Sequence, residues 1–166
     1  MDKYQTFFSR FVALLIDSFI MIPLFVFDQW FRDWEFPPLF FYFWIPLSSL
    51  VFPIYSITMN AKFGQTLGKM WMKVKVADVS EAASITLRQA ILRDAPQLIF
   101  NSAAIVIGIV ALSRDEKSLE MMYAYGVFNM TAGLWSLADI IVFMLNKRRR
   151  ALHDLIAGTI VVKTES

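Results

Sequence analysis

Two charged residues interrupt the first apolar stretch of the chain, and their types and spacing are suited to ion chemistry. Arg10 and Asp17 lie in the run from Phe7 to Phe27, which is long enough to cross a bilayer as a helix. Their side chains project from one helix face, about 10 Å apart along the axis. A carboxylate at the centre of a spanning helix costs roughly 2.5–3.5 kcal/mol, so it is a functional candidate by default. The alternative is that Asp17 links helices through a buried polar contact.

Other polar residues lie at similar depths in later apolar stretches. Counted from the basic ends of their helices, Asp139 lies at about 10 Å, as Asp17 does, and Asn101 and Ser56 lie at about 6–7 Å. Two carboxylates that share a dry site do not both ionise cheaply, so such a pair binds a proton or a cation in exchange. We therefore expect an ion-binding belt of Asp17, Asp139, Asn101 and Ser56, provided that helix rotation makes the two aspartates neighbours.

The composition is that of a membrane protein. The chain has 166 residues, of which 57% are hydrophobic, and it contains 16 Phe and five Trp, which suit the aromatic belts of membrane proteins. One membrane domain, 1–166, is expected. It is an all-α membrane protein with four transmembrane helices, at about 7–27, 39–59, 96–112 and 121–145.

The polar segments at 60–95 and 146–166 are expected to form short elements outside the bilayer. Lys73 to Asp78 alternates charged and apolar residues, and Thr159 to Lys163 is rich in β-branched residues. We predict that these two strands pair beneath the bundle, with Arg10 and Asp154 nearby, since each alone leaves an unpaired edge.

A short interfacial helix is predicted between these strands. Thr86 is suited to cap a helix from Leu87 to Asp94, which carries one apolar face. Pro96 is expected to mark the point where the chain turns into the membrane.

The basic residues predict an orientation. Of the sixteen Lys and Arg residues, all but Arg32, Arg114 and Lys117 lie in the N-terminal part up to Arg10, the 60–95 segment and the tail. By the positive-inside rule, both termini and the 60–95 segment are cytoplasmic. The Lys147–Arg150 cluster is mainly this orientation signal, with attraction to acidic lipids as a secondary interpretation.

Enzymatic chemistry finds little support. The chain has no Cys and only one histidine, His153, which we interpret as an interfacial polar residue. The Gly64 to Lys69 segment has too few residues between its glycines for a phosphate-binding loop, and Met70 replaces the hydroxyl residue. We expect a tight turn there, and no enzyme activity, cofactor, metal site or nucleic-acid partner.

Three segments together resemble the RDD family, which is named for one arginine and two aspartates. They are the first helix with Arg10 and Asp17, the Gly64 to Lys69 turn, and the run from Leu152 to Val162. The resemblance spans Ser9 to Val162, and by position the second aspartate is Asp154. It implies a multi-pass membrane protein of the bacterial or archaeal cell (inner) membrane, for which transport, including sodium–proton antiport, has been suggested.

Two function hypotheses remain. In the first, the chain is a small proton-coupled cation transporter for Na⁺ or H⁺ with Asp17 and Asp139 at its ion site, and it forms a homo-oligomer because four helices make a thin wall for a pathway. In the second, it is a non-transporting membrane scaffold, assembly factor or partner subunit. Arg10 and Asp154 then form a structural charge pair that fixes the tail to the bundle.

Overall fold

Long apolar helices and a small polar cap make up the computed structural model, which describes residues 4–33, 36–81, 83–113 and 119–164. Its elements follow in chain order: α1 (Phe7–Ile20), α2 (Ile22–Asp33), α3 (Pro38–Phe63), α4 (Leu67–Trp71), β1 (Val74–Asp78), α5 (Leu87–Ser113), α6 (Leu119–Leu145), α7 (Leu152–Ala157) and β2 (Thr159–Lys163). We call α4, α7 and the two strands the polar cap.

Three helices are long and apolar enough to cross a membrane, and the pair α1 and α2 makes a fourth if it forms one bent span. The helix expected over Phe7 to Phe27 is therefore bent, with its break near Pro23. The helix ends at Ile20, and α2 continues at a bend of 44°. Pro23 explains the break, because it has no N–H for an intrahelical bond and its ring crowds the Phe19 carbonyl.

The separate interfacial helix from Leu87 to Asp94 is also wrong. α5 is continuous from Leu87 to Ser113 with Pro96 inside it. In membrane helices a proline is tolerated where neighbouring helices and local adjustments satisfy the freed backbone group. Here α5 packs along α3 and against α7, which holds both halves in line.

The predicted strand pairing is confirmed. β1 and β2 form an antiparallel two-stranded sheet in which Val76 lies opposite Val161. Val74, Val76 and Val161 are fully buried, and they pack with Ile85 and Ala90 in a small apolar core. This core joins the sheet to the start of α5, so the cap is attached to the helices by packing as well as by charge.

Candidate functional site

Asp154 is the centre of a buried charge cluster in the polar cap. Its side chain is completely buried, and its Oδ2 lies 2.6 Å from Arg10 Nη1 while its Oδ1 lies 3.3 Å from Arg93 Nη2. Burial alone would raise the pKa of Asp154, but Arg93 and Arg10 outweigh it and hold the pKa well below its usual range. We call these three residues the Asp154 clamp.

The clamp ties α1 to the tail of the chain. Asp154 also accepts hydrogen bonds from the Ala151 N–H and the Thr159 hydroxyl, so it fixes both ends of the α7 turn. Arg10 Nη2 donates to the Arg149 carbonyl at 3.2 Å, and its guanidinium lies 5.1 Å from the centre of the Phe143 ring. Arg10 and Asp154, which the sequence places together as a structural pair, are thus in direct contact.

His153 binds Asp139 rather than standing alone. Its Nδ1 lies 2.9 Å from Asp139 Oδ1, and its backbone N–H donates to the same oxygen. Its Nε2 lies 3.4 Å from Arg93 Nη2 and 3.5 Å from Asp154 Oδ1. His153 and Asp154, adjacent residues of α7, thus both lie against Arg93.

Asp17 is held by neutral donors. Its carboxylate accepts hydrogen bonds from the Tyr55 hydroxyl at 2.9 Å, the Thr66 hydroxyl at 2.6 Å and the Gly68 N–H at 2.8 Å. Thr66 and Gly68 begin α4, so Asp17 joins this short helix to α1. Only 4% of Asp17 is exposed.

Two glycines of the Gly64 to Lys69 turn explain how α4 comes close enough to α1 for these contacts. Gly64 ends α3 with a φ of 69°, a conformation that side-chain-bearing residues rarely adopt. At Gly68 a Cβ would collide with the carbonyl oxygen of Ala13, so only glycine lets α4 lie directly on α1. The turn is tight, as the sequence predicts, and its glycines serve close packing.

Lys69 lies beside Asp17 but has a different environment. Its Nζ donates to Asn60 Oδ1 at 3.0 Å, and Asn60 Nδ2 donates to Ser56 Oγ at 3.2 Å. Among the residues that the structure describes, no carboxylate forms an ion pair with Lys69. Removal of the ammonium from solvent, together with the nearby Arg93, lowers the pKa of Lys69 from 10.5 to about 7.

Two further polar atoms of α5 lack partners. Arg93 Nη1 and Asp94 Oδ2 are buried and have no hydrogen-bond partner in the described part of the chain. Asp94 lies within electrostatic range of the Lys69 ammonium. A buried oxygen of this kind is costly unless something satisfies it.

Asn101 has a structural partner in α3. Its Nδ2 donates to the Ser49 carbonyl at 2.8 Å. Pro53 lies four residues after Ser49 and has no N–H, so this carbonyl has lost its normal intrahelical donor. Asn101 thus satisfies the group that Pro53 leaves free, and it joins α5 to α3.

A cavity of about 760 Å³ lies between α1, α2, α3, α5 and α6. Its wall is mostly apolar but includes a set of polar residues: Ser18, Ser48, Ser49, Gln97, Asn101 and Tyr125. The cavity approaches the buried charges. Gln97 follows Arg93 by one helical turn on α5, and Phe52, also in the wall, precedes Ser56 by one turn on α3.

The structure does not bring the expected ion-binding belt together. Asp17 binds α4, Asp139 binds His153, Asn101 binds Ser49 and Ser56 binds Asn60. No hydrogen bond of the described residues joins any two of the four. Whether they bind an ion stays a prediction.

Several residues that complete these contacts do not stand out in the sequence: Tyr55, Asn60, Thr66, Lys69, Arg93 and Asp94. One available signal was the charge pattern of α5, since Arg93 and Asp94 follow Ala90 and Ile91 in a helix whose apolar positions continue into the bilayer. In the described part of the chain, no group of three or more His, Asp or Glu residues is arranged to hold a metal ion.

Apolar helices of membrane-spanning length, together with a cap of buried charges, define an integral membrane protein. The RDD family model matches residues 4–158, so the chain belongs to the RDD family. Comparison with curated proteins and with solved structures gives no match.

Proposed function

We propose that this RDD family membrane protein is a small transporter that exchanges a monovalent cation for protons. The observation that supports this is the cavity among the apolar helices, which ends about one helical turn from buried ionisable residues. A space at that position, with several polar residues in its wall, offers a cation a route from one face toward groups that bind and release protons.

In this proposal the chain has four spans, with α1 and α2 forming one broken span, and both termini are cytoplasmic. The positive-inside pattern supports this orientation, because the cap and the tail carry most of the basic residues. The membrane is the prokaryotic cell (inner) membrane. A label at Lys117 should react from outside sealed cells, whereas reaction of Lys163 from outside would overturn the orientation.

The proposal also includes a homo-oligomer, since four helices form a thin wall around a pathway. The partners are the lipid bilayer, other copies of the chain, and Na⁺ or H⁺. The protein would need no cofactor, catalyse no covalent chemistry and bind no nucleic acid.

Reconstitution into proteoliposomes tests transport. Sodium applied outside should drive proton flux in vesicles with the wild-type chain and not in empty vesicles. Gly108→Phe should abolish this flux with little change in melting temperature, because Gly108 lines the cavity. Gly126→Phe is the matched control, since a Cβ at Gly126 meets no atom within 4 Å. Equal flux in both variants would exclude this cavity as the pathway.

A membrane scaffold or partner subunit remains the second candidate. It is favoured by the internal partners of Asp17 and Asp154, whose carboxylates are occupied by contacts within the chain. Wild-type vesicles that show no cation-dependent proton flux, with correctly folded protein, would favour this function.

A further inference from the structure

We propose that Lys69 is the proton-exchanging residue of this protein, and that its ammonium occupies a site at Asn60 which a monovalent cation takes when Lys69 loses its proton. This inference rests on the proposed exchange function and moves its site away from Asp17 and Asp139.

The geometry at Asn60 is the first argument. Asn60 is 1% exposed, and its Oδ1 accepts from Lys69 Nζ while its Nδ2 donates to Ser56 Oγ. The carbonyl oxygen is therefore held in place by a neighbour on its own helix. An oriented, buried amide oxygen that binds an ammonium also suits a hard cation such as Na⁺, which prefers oxygen ligands.

The unpartnered oxygen of Asp94 is the second argument. Among the residues that the structure describes, Asp94 Oδ2 is buried without a hydrogen-bond partner, and the carboxylate acts on Lys69 through space. A cation bound near Lys69 would be attracted by the negative charge of Asp94, and the buried Asp94 Oδ2 would then have a partner.

Charge balance is the third argument. The charged groups that act on Lys69 are Asp17 of α1, Arg93 and Asp94 of α5, and Asp154 of α7. Arg10 pairs with Asp154, and Asp139 pairs with His153, which also contacts Arg93 and Asp154. With Lys69 protonated, Arg10, Arg93 and Lys69 balance the three carboxylates. Loss of its proton leaves one net negative charge in a buried cluster, and one monovalent cation restores neutrality.

Protons and charge both balance in this exchange. The Lys69 ammonium gives one proton to water and becomes a neutral amine, while one Na⁺ enters beside Asn60 and Asp94, so the charge of the cluster is unchanged. Burial lowers the pKa of Lys69 to about 7, so both forms are populated near neutral pH. Asp17 keeps its three donors throughout and is a structural residue in this scheme.

Sodium-induced proton release from the purified full-length chain tests the inference. In weakly buffered detergent solution near pH 7, addition of NaCl should release protons, up to about one per chain. The reference addition is N-methyl-glucamine chloride at the same ionic strength. Lys69→Gln and Lys69→Arg should both lose the proton release. The glutamine cannot bind the proton, and the arginine does not give it up near pH 7. Lys62→Gln, which changes an exposed lysine of α3, should keep it.

Each result decides one of the two proposals. No sodium-dependent release from the folded wild-type chain, or an unchanged release from Lys69→Gln, would overturn the role of Lys69. Release that depends on Lys69 without any flux in vesicles would support the exchange site and remove transport. Flux that is unaffected by Lys69→Gln would keep transport and remove Lys69. A melting curve for each variant shows whether it is folded.

Discussion

The Asp154 clamp and the surroundings of Lys69 lie in the same polar cap, but their charges are compensated in different ways. Asp154 is in contact with two guanidinium groups and two neutral donors, so its charge is fully compensated. Lys69 has one neutral acceptor, and its counter-charges act from beyond ion-pair distance. A group with saturated partners holds a fixed ionisation state, whereas a poorly compensated buried group titrates easily. The comparison assigns stability to the first region and proton exchange to the second.

The largest expected effect is the loss of the clamp. Asp154→Asn leaves Arg10 and Arg93 buried without their carboxylate, which should cost about 3–5 kcal/mol of stability. The measurement is the unfolding of the purified protein, with yield from the membrane as a second readout. Asp78→Asn is the control, because Asp78 lies at the end of β1, away from the clamp, and should cause a smaller loss. Equal stability of Asp154→Asn and the wild type would break the distinction between the two regions.

The next largest effect tests the contact of α4 with α1. Gly68→Ala places a methyl group against the Ala13 carbonyl, so the helix that carries Lys69 must move. We expect a loss of about 1–3 kcal/mol, as for other overpacked sites. Gly126→Ala, which meets open space, should leave the melting temperature unchanged. A Gly68→Ala protein with wild-type stability would contradict the close packing of α4.

A smaller effect is expected at Asp17. In Asp17→Asn an amide replaces a carboxylate that accepts three hydrogen bonds, and its NH₂ group must face one of these donors. The Thr66 hydroxyl can rotate and accept instead, so we expect a loss of about 1 kcal/mol. A loss of stability in Asp17→Asn as large as that in Asp154→Asn would contradict this view. It would mean that Asp17, like Asp154, compensates a buried positive charge that its removal leaves unpaired.

The sequence was sufficient to predict a mostly helical chain with apolar helices of membrane-spanning length, a small two-stranded sheet, and the contacts that follow from chain direction. Strand pairing followed from two β-branched or alternating runs, and the meeting of Arg10 with Asp154 followed from their positions at the same end of the bundle. The rotation of each helix about its axis could not be predicted from the sequence. It decides that Asp139 faces His153 rather than Asp17, and apolar residues on nearly every side of a membrane helix give no amphipathic signal for it.

The role of Lys69 was out of reach for a related reason. In the sequence it ends a glycine turn and looks like one more basic residue of the polar 60–95 segment. Its partly buried position depends on Gly68, whose lack of a side chain lets α4 lie on α1, and on Asn60 near the end of α3, which accepts its hydrogen bond. Neither relation is local enough to be read from spacing.

The last expected effect is a pH dependence of stability to which Lys69 contributes. Its pKa is about 7 in the folded protein and 10.5 in an unfolded chain, so between these values the unfolded chain binds more protons. Stability rises with pH wherever that is so. The melting temperature of the wild type, measured without Na⁺, should therefore gain a rising contribution from pH 7 toward pH 10, and Lys69→Gln should lack it.

Lys62→Gln should retain this rising contribution, because Lys62 is exposed. The difference between the two glutamine variants isolates Lys69 from all other groups that titrate in this range. Parallel curves of melting temperature against pH for both variants would mean that nearby negative charge stabilises the Lys69 ammonium more than the structure indicates. The contrast between Lys69 and Asp154 would then disappear.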